Sequence, residues 1–321
     1  MNTTKQAPGG AEPVIRVTDV AFPRFQAPDL GLMEAFLSAF GMQRAALEGD
    51  TLYMRGSDAD HHVHVTHLGE AAFLGLAFRA ASEDDLERLA AATSTAVEEL
   101  KEPGGGKAVR LRDPDGRLVD VVHGIASVAP LPLRSHPPLN NGSERPRVVT
   151  LQRVEAGPAQ VKRFGHAALK TTNLAATFEW YRRTLGLLVS DDFFLEGPEQ
   201  PLGRFLRCDR GAVATDHHTL LLLDAPEAKL GHCAWEVADF DDLMVGREHL
   251  LANDNGGRPY WGIGRHILGG QIFDYWKDPF GFTVEHWTDS DLLTADVPAG
   301  SHHILAALNQ WGPMPPPDLD F

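Results

Sequence analysis

Two cysteines in 321 residues, Cys208 and Cys233, are too few for a disulfide framework and point to a reducing, cytoplasmic setting. Basic residues are also short: 29 lysines and arginines face 44 acidic residues, a net charge of −15. That balance argues against nucleic acid as a partner, since phosphate backbones call for a basic face. No apolar run approaches the ~20 residues of a membrane-spanning helix, so no membrane role is expected. The opening MNTTKQAPGGAEP lacks the apolar core of a secretory signal and reads as a frayed tail. What is present is ordinary for a globular protein, 43% hydrophobic and 23% charged, and the length suits about two domains. The fifteen histidines are the unusual feature.

The chain repeats itself. DPDGRLVDVV at 113–122 matches DPFGFTVEHW at 278–287, setting Asp120 against Glu285. Asp60-His61-His62 matches Asp216-His217-His218. FLGLAF before SEDDLERL matches LGHCAWEV before DFDDLMVGREHL at the same offset, setting Leu76 against His232. The stretch 29–42 matches 174–187, which sets Ala21 against His166. Four matches in one order indicate a duplication. Each half in turn reads as two copies of a strand, a helix and three strands. In the second half, Asn173 suits a helix N-cap, Leu174, Phe178, Tyr181 and Leu185 fall at helical spacing, and Gly186 ends the run. The unit restarts at 231–237, with Asp239 as the next cap. The expected class is α+β, two domains each made of two βαβββ modules that form an open, barrel-like sheet. The boundaries are 14–124, a Pro/Asn/Ser-rich linker at 125–160, a second domain at 161–290 and a tail at 291–321.

In such a half-barrel the first and last strands face inward. His166 and His232 lie on opening strands of the second half and Glu285 on its closing strand. Two imidazoles and a carboxylate on adjacent strands match the facial triad of non-heme Fe(II) oxygenases, which leaves the opposite side of the metal open. Each histidine alone is more simply a polar residue in a half-buried strand. The first half, with Ala21, Leu76 and Asp120 at the matched positions, shows that the strands fold without such ligands.

The segments FGHAAL (164–169), DHHTLLL (216–222), LGHCAWEV (230–237) and GRHILGGQIFDYWKDPFGFTVEHW (264–287) resemble the type I extradiol ring-cleavage dioxygenases of the vicinal oxygen chelate (glyoxalase/bleomycin resistance) superfamily. The last stretch is most similar to the trihydroxytoluene oxygenase branch. The resemblance implies Fe(II), with Mn(II) as an alternative, held by His166, His232 and Glu285 in a catalytic second half beside a metal-free first half. It implies His217 as the acid–base group, with His218 as the alternative, and His266 and Tyr275 as residues facing the bound catecholate. It further implies a catecholic substrate, O2 and a homo-oligomer. Some relatives carry an acidic residue where this chain has Gly269, which leaves no side chain for contacting substrate there. On a strand His217 and His218 would point to opposite faces, so only one enters the pocket. Histidine suits proton transfer near neutral pH.

Three other readings compete. A keto-acid dioxygenase of the superfamily uses the same triad type but does not need His217, His266 and Tyr275. A glyoxalase-type isomerase wants a more carboxylate-rich site, and a sequestration protein of bleomycin-resistance type lacks the triad. The run holding His61, His62, His64 and His67 is the repeat partner of 216–223 and lacks the other ligand strands. His302 and His303 lie in the tail, and Cys233 reads as core.

The turn Asp278-Pro279-Phe280-Gly281 decides which residues share a face. A three-residue loop with Gly281 left-handed sets Asp278 against Phe282 and Tyr275 against Glu285. The same turn at Asp113–Gly116 sets Arg110 against Asp120, where an ion pair or hydrogen bond is expected.

Overall fold

The computed structural model describes residues 12–134 and 137–316. The opening segment expected to fray falls almost wholly outside the described residues. The first half contains β1 (Asp19–Ala27), α1 (Leu30–Ala39), β2 (Gln43–Glu48), β3 (Thr51–Arg55), β4 (His64–Leu68), β5 (Ala72–Arg79), α2 (Glu83–Thr93), β6 (Val97–Glu99), β7 (Lys107–Arg112) and β8 (Leu118–His123). These strands form one sheet in the order β2-β3-β4-β1-β5-β8-β7-β6. The second half repeats the plan with β9 (Val161–Thr171), α3 (Leu174–Leu185), β10 (Leu188–Phe194), β11 (Pro201–Arg207), β12 (Thr215–Asp216), β13 (Leu220–Asp224), β14 (Lys229–Val237), α4 (Phe240–Ala252), β15 (Arg258–His266), β16 (Ile272–Lys277) and β17 (Thr283–Thr288). The α+β class and the four βαβββ modules are as expected. The described residues of 125–160 form neither helix nor strand.

Local chemistry sets the helix ends. Asn173 accepts from the Ala176 N–H, and left-handed Gly186 donates its N–H to the Arg182 carbonyl. Asp239 caps α4 by accepting from the Asp242 N–H. The segment after 290 departs from the expected tail. It supplies β18 (Leu292–Leu293), β19 (Gly300–His303) and β20 (Asn309–Trp311). β19 pairs with β10 and β20 with β15, at opposite ends of a ten-stranded sheet whose centre is β9-β14-β17.

The halves share a core. Trp235 donates its indole N–H to the Val63 carbonyl at 3.0 Å, and His286 stacks on Phe40 at 3.6 Å between ring centroids. The Tyr181 hydroxyl donates to Asp113 Oδ2.

Bulges in the central strand pairs correct the alignment of the duplication. Gly165 is the extra residue between the pairs Phe164–Trp235 and His166–Ala234. Ala21 is the extra residue between Val20–Phe78 and Phe22–Ala77. Phe22, not Ala21, therefore occupies the position of His166. A second bulge leaves out Gly231 in one half and Leu74 in the other, so Gly75, not Leu76, occupies the position of His232. Asp120 and Glu285 do correspond, facing Ala77 and Ala234 across parallel pairs. Ring packing repeats accordingly: Phe22 lies 4.4 Å from His62, as His166 lies 4.2 Å from His218. Gly75 could not carry a ligand as placed, because a Cβ there would stand 1.9 Å from the Leu118 carbonyl oxygen.

The turns have the expected register. Gly281 has φ +93°, the Asp278 N–H donates to the Phe282 carbonyl, and Tyr275 opposes Glu285. Arg110 likewise opposes Asp120. The ion pair expected between those two is absent, however. Asp120 accepts from Arg24 at 2.8 Å, while the half-exposed Arg110 guanidinium reaches Glu98 and Glu102.

Candidate metal centre and its cavity

β9, β14 and β17 are adjacent, so their inward side chains at one level must meet. His166 Nε2 lies 3.3 Å from His232 Nε2 and 3.3 Å from Glu285 Oε2, and the third side of the triangle is 3.2 Å. This is the one group of three potential ligand residues brought together in this way among the described residues. First-row divalent ions bind such atoms at about 2.0–2.2 Å, and two ligands at right angles then stand about 3 Å apart. The triangle fits a facial three-ligand site.

The electrostatics agree. Burial holds the His166 and His232 imidazoles down at about 3, so both are neutral and can ligate. Burial pushes the Glu285 carboxyl up, against the pull of His232 and His266. Both Glu285 oxygens are buried without a hydrogen bond of normal geometry, as is His166 Nδ1. A buried carboxylate left in that state is costly unless a cation completes it.

His166 and His232 line a cavity of about 270 Å³. His218, His266, Tyr275 and Trp261 line it near the triad, with Phe193 and Phe205 alongside. His266 Nε2 and the Tyr275 hydroxyl are 3.1 Å apart, and burial lowers the His266 imidazole to about 4. His166, His232, Glu285, His266 and Tyr275 thus come together as the sequence suggested.

His217 does not. Its Nε2 lies 2.6 Å from Asp191 Oδ2, behind the cavity wall, and His218 lines the cavity instead. The rings touch through their Nδ1 atoms at 3.1 Å, and the other Asp191 oxygen holds His302 at 2.8 Å. Only one of the two histidines lines the cavity, as expected, although residues 217–219 form an irregular bend between β12 and β13 rather than a strand. Left-handed Gly269 packs against His217, and a Cβ there would come within 3.0 Å of His217 Nδ1. In the first half, His62 and His64 are buried beside Phe22 and Phe25 and belong to no such ligand group among the described residues.

Sequence reasoning missed Trp261, the phenylalanines and three lysines, Lys170, Lys229 and Lys277, that also line the cavity. The alternation rule carried a signal for two of them. Lys170 lies four residues beyond His166 on β9, and Lys277 two beyond Tyr275 on β16.

Residues 163–286 match the family model of the glyoxalase/bleomycin resistance protein/dioxygenase superfamily. Metapyrocatechase 2 of Cupriavidus necator is 31% identical over 323 aligned positions, spanning 97% of this chain and 93% of that protein. Two solved structures share the fold. Homoprotocatechuate 2,3-dioxygenase from Brevibacterium fuscum, in its anaerobic complex with 3,4-dihydroxyphenylacetate, superposes with a TM-score of 0.78 at 19% identity, covering 97% of this chain and 94% of that one. A Mn(II)-bound glyoxalase from Novosphingobium aromaticivorans gives 0.76 at 24% identity, covering 95% and 94%.

Proposed function

The chain belongs to the extradiol ring-cleavage dioxygenases of the glyoxalase/bleomycin resistance protein/dioxygenase superfamily, and on that premise we propose that it opens the ring of a substituted catechol or trihydroxybenzene with O2, using Fe(II) held by His166, His232 and Glu285. The observation that carries this reading is the triangle of three ligand atoms, two imidazole nitrogens and one oxygen of a fully buried carboxylate. The ligand set also accommodates Mn(II). A ferrous ion in this site supplies Lewis acidity toward a catechol hydroxyl and a one-electron couple toward O2.

The protein's own groups do the rest. The Tyr275 hydroxyl and His266 imidazole form a hydrogen-bonding pair on the wall beside Glu285, placed to orient the catechol oxygens. His218 is the candidate to take a catechol proton and return it later. It lines the cavity beside His166 and is neutral at rest, its affinity for protons lowered by burial and by the neighbouring histidines. Trp261, Phe193 and Phe205 exclude water from that exchange.

The fold shared with a Mn(II)-bound glyoxalase keeps an isomerase as the second reading. Loading the protein anaerobically with ferrous iron, then adding a catechol and air-saturated buffer, separates the two. Stoichiometric O2 uptake with a coloured ring-fission product is expected. Silence with catechol and substituted catechols, despite full metal, would overturn the dioxygenase reading.

A further inference from the structure

Behind the cavity wall, four side chains run in one line from His218 toward the surface. His218 and His217 meet through their Nδ1 atoms at 3.1 Å, His217 Nε2 lies 2.6 Å from Asp191 Oδ2, and Asp191 Oδ1 lies 2.8 Å from His302 Nε2. The first three are largely shielded from water, and His302 is the half-exposed end. The backbone of His217 is held as well. Its N–H donates to the Asp291 carbonyl, and the Ser190 hydroxyl donates to its carbonyl at 2.5 Å.

Hydrogen-bond polarity along this line is set from the Asp191 end. A carboxylate only accepts, so the N–H of His217 is at Nε2. A neutral His217 has no second N–H, so its Nδ1 accepts and His218 Nδ1 donates. The single proton of a neutral His218 is then on Nδ1, and its Nε2 carries a bare lone pair. His218 lines the cavity, so Nε2 is the nitrogen left to meet a catechol hydroxyl. The opposite polarity would present an N–H there, which cannot take up a proton.

The duplication supplies an internal control. In the first half, His61 and His62 meet through their Nδ1 atoms at 3.2 Å, with their rings at 80°, against 86° for His217 and His218. Tyr53 lies against His62 as Phe205 lies against His218. A bulge at Ala45 matches one at Ser190, so Ala46, opposite Tyr53, occupies the position of Asp191, opposite Phe205. The histidine pair thus belongs to the fold, whereas the carboxylate at this position occurs only in the half that holds the triad. The C-terminal segment adds to it. β19 pairs with β10 at Asp191–Gly300, and a Cβ on Gly300 would stand 2.0 Å from Asp191 Oδ1 and 2.5 Å from His302 Nε2. Glycine at 300 is what leaves room for the Asp191–His302 contact.

We propose that Asp191 and His217 are positioning residues for ring cleavage, holding His218 in the tautomer whose Nε2 can accept a catechol proton, and that His302 keeps Asp191 in place. The inference rests on the reading of His218 as the acid–base group and goes beyond it by naming what orients that group. The catechol O–H bond breaks as an N–H bond forms on His218 Nε2, the electron pair stays on the catechol oxygen, and the same N–H later returns the proton. Asp191 takes up no proton in this exchange. Its negative charge faces the transient imidazolium through His217.

The first test is independent of turnover. In full-length protein loaded with diamagnetic Zn(II) and carrying isotope-labelled histidine, long-range proton–nitrogen NMR correlations report which ring nitrogen bears the proton, and His218→Asn identifies the His218 signals. His218 should be in the Nδ1–H form in wild type and should lose that preference in Asp191→Ala. The second test is steady-state kinetics with catechol on iron-loaded protein. Asp191→Ala should lower kcat about 10-fold, the low end for a hydrogen bond to a charged group, with KM and iron content little changed. Asp191→Glu should recover most of that loss. Added to His218→Asn, Asp191→Ala should cost almost nothing further, because it acts through the group already removed. His218 in the Nε2–H form in wild type, or full additivity of the two changes, would overturn the positioning role while leaving His218 as the acid–base group. His218→Asn turning over at the wild-type rate would instead remove the acid–base reading, and the positioning role with it.

Discussion

Replacing His64 with leucine should make the protein less sensitive to acid. His64 is fully buried at the seam of the two halves, stacked on Phe25 at 5.0 Å and 5.7 Å from the Trp235 ring. Its Nε2 meets the Thr66 hydroxyl at 2.7 Å and its Nδ1 has no partner, so the site holds a neutral ring. Burial lowers its proton affinity from the ordinary 6.5 to about 3. The unfolded chain takes up a proton below pH 6.5 and the folded one does not. The contribution of His64 is therefore complete above that pH and is lost as the pH falls toward 3. At pH 5, about 1.5 units below the ordinary value, the loss is about 2 kcal/mol at 1.36 kcal/mol per unit. Buried carboxylates act in the opposite sense. Burial raises Asp19, Asp192, Asp274 and Asp278 to about 6, so their contribution is present below the ordinary carboxylate range and lost as the pH rises through about 6. They are common to both proteins and cancel in the comparison. Urea unfolding of chelator-treated wild type and His64→Leu, at pH 7.5 and 5.0, measures the difference. The variant should lose about 2 kcal/mol less than wild type between the two pH values, whatever its absolute stability. Equal losses would refute the reasoning by showing that the folded protein accommodates a charged His64.

Wild type should bind one iron per chain, and His166→Ala, His232→Ala or Glu285→Gln should lose iron and ring cleavage together; metal analysis showing two irons per chain, or full loading in the variants, would remove the triad. His218→Asn should retain iron and slow turnover by roughly 10²–10⁴-fold, the usual range for a positioned acid–base group. His217→Asn should do much less, and steady-state kinetics with the reverse order would return the role to His217. Gly75→Ala should destabilise the metal-free half by about 2–4 kcal/mol through steric overlap and backbone strain, and an unchanged urea midpoint would contradict the bulge placed there.

The sequence made the modules, the caps at Asn173 and Asp239 and the ligand triad legible, because each depends on local spacing or on matching one half against the other. The turn at Asp278 was equally readable, since the position of Gly281 selects a three-residue loop and so the face that Tyr275 shares with Glu285. Bulges were not readable. An extra residue at Gly165 or Ala21 shifts the count by one without leaving a compositional mark, which is why Ala21 and Leu76 were matched in place of Phe22 and Gly75. Which of His217 and His218 faces the cavity was not readable either, because spacing does not orient residues that lie in a bend. The strands after 290 were hidden because β19 and β20 are short edge additions whose pairing partners lie far away in sequence.

In the first half, the inward carboxylate at the level of Glu285 is Asp120, and its counter-charge is built into the chain. Arg24, at the register position of Ala168, holds Asp120 at 2.8 Å and Glu102 at 2.8 Å, all three largely shielded from water. A guanidinium cannot be chelated, oxidised or outcompeted by another ion. The first half thus neutralises its inward carboxylate with a side chain of its own, and through Trp235 and His286 it backs the strands that carry the proposed ligands of the other. Emptying the proposed centre should then be a local event on a standing scaffold, with the frame for taking up another ion left in place.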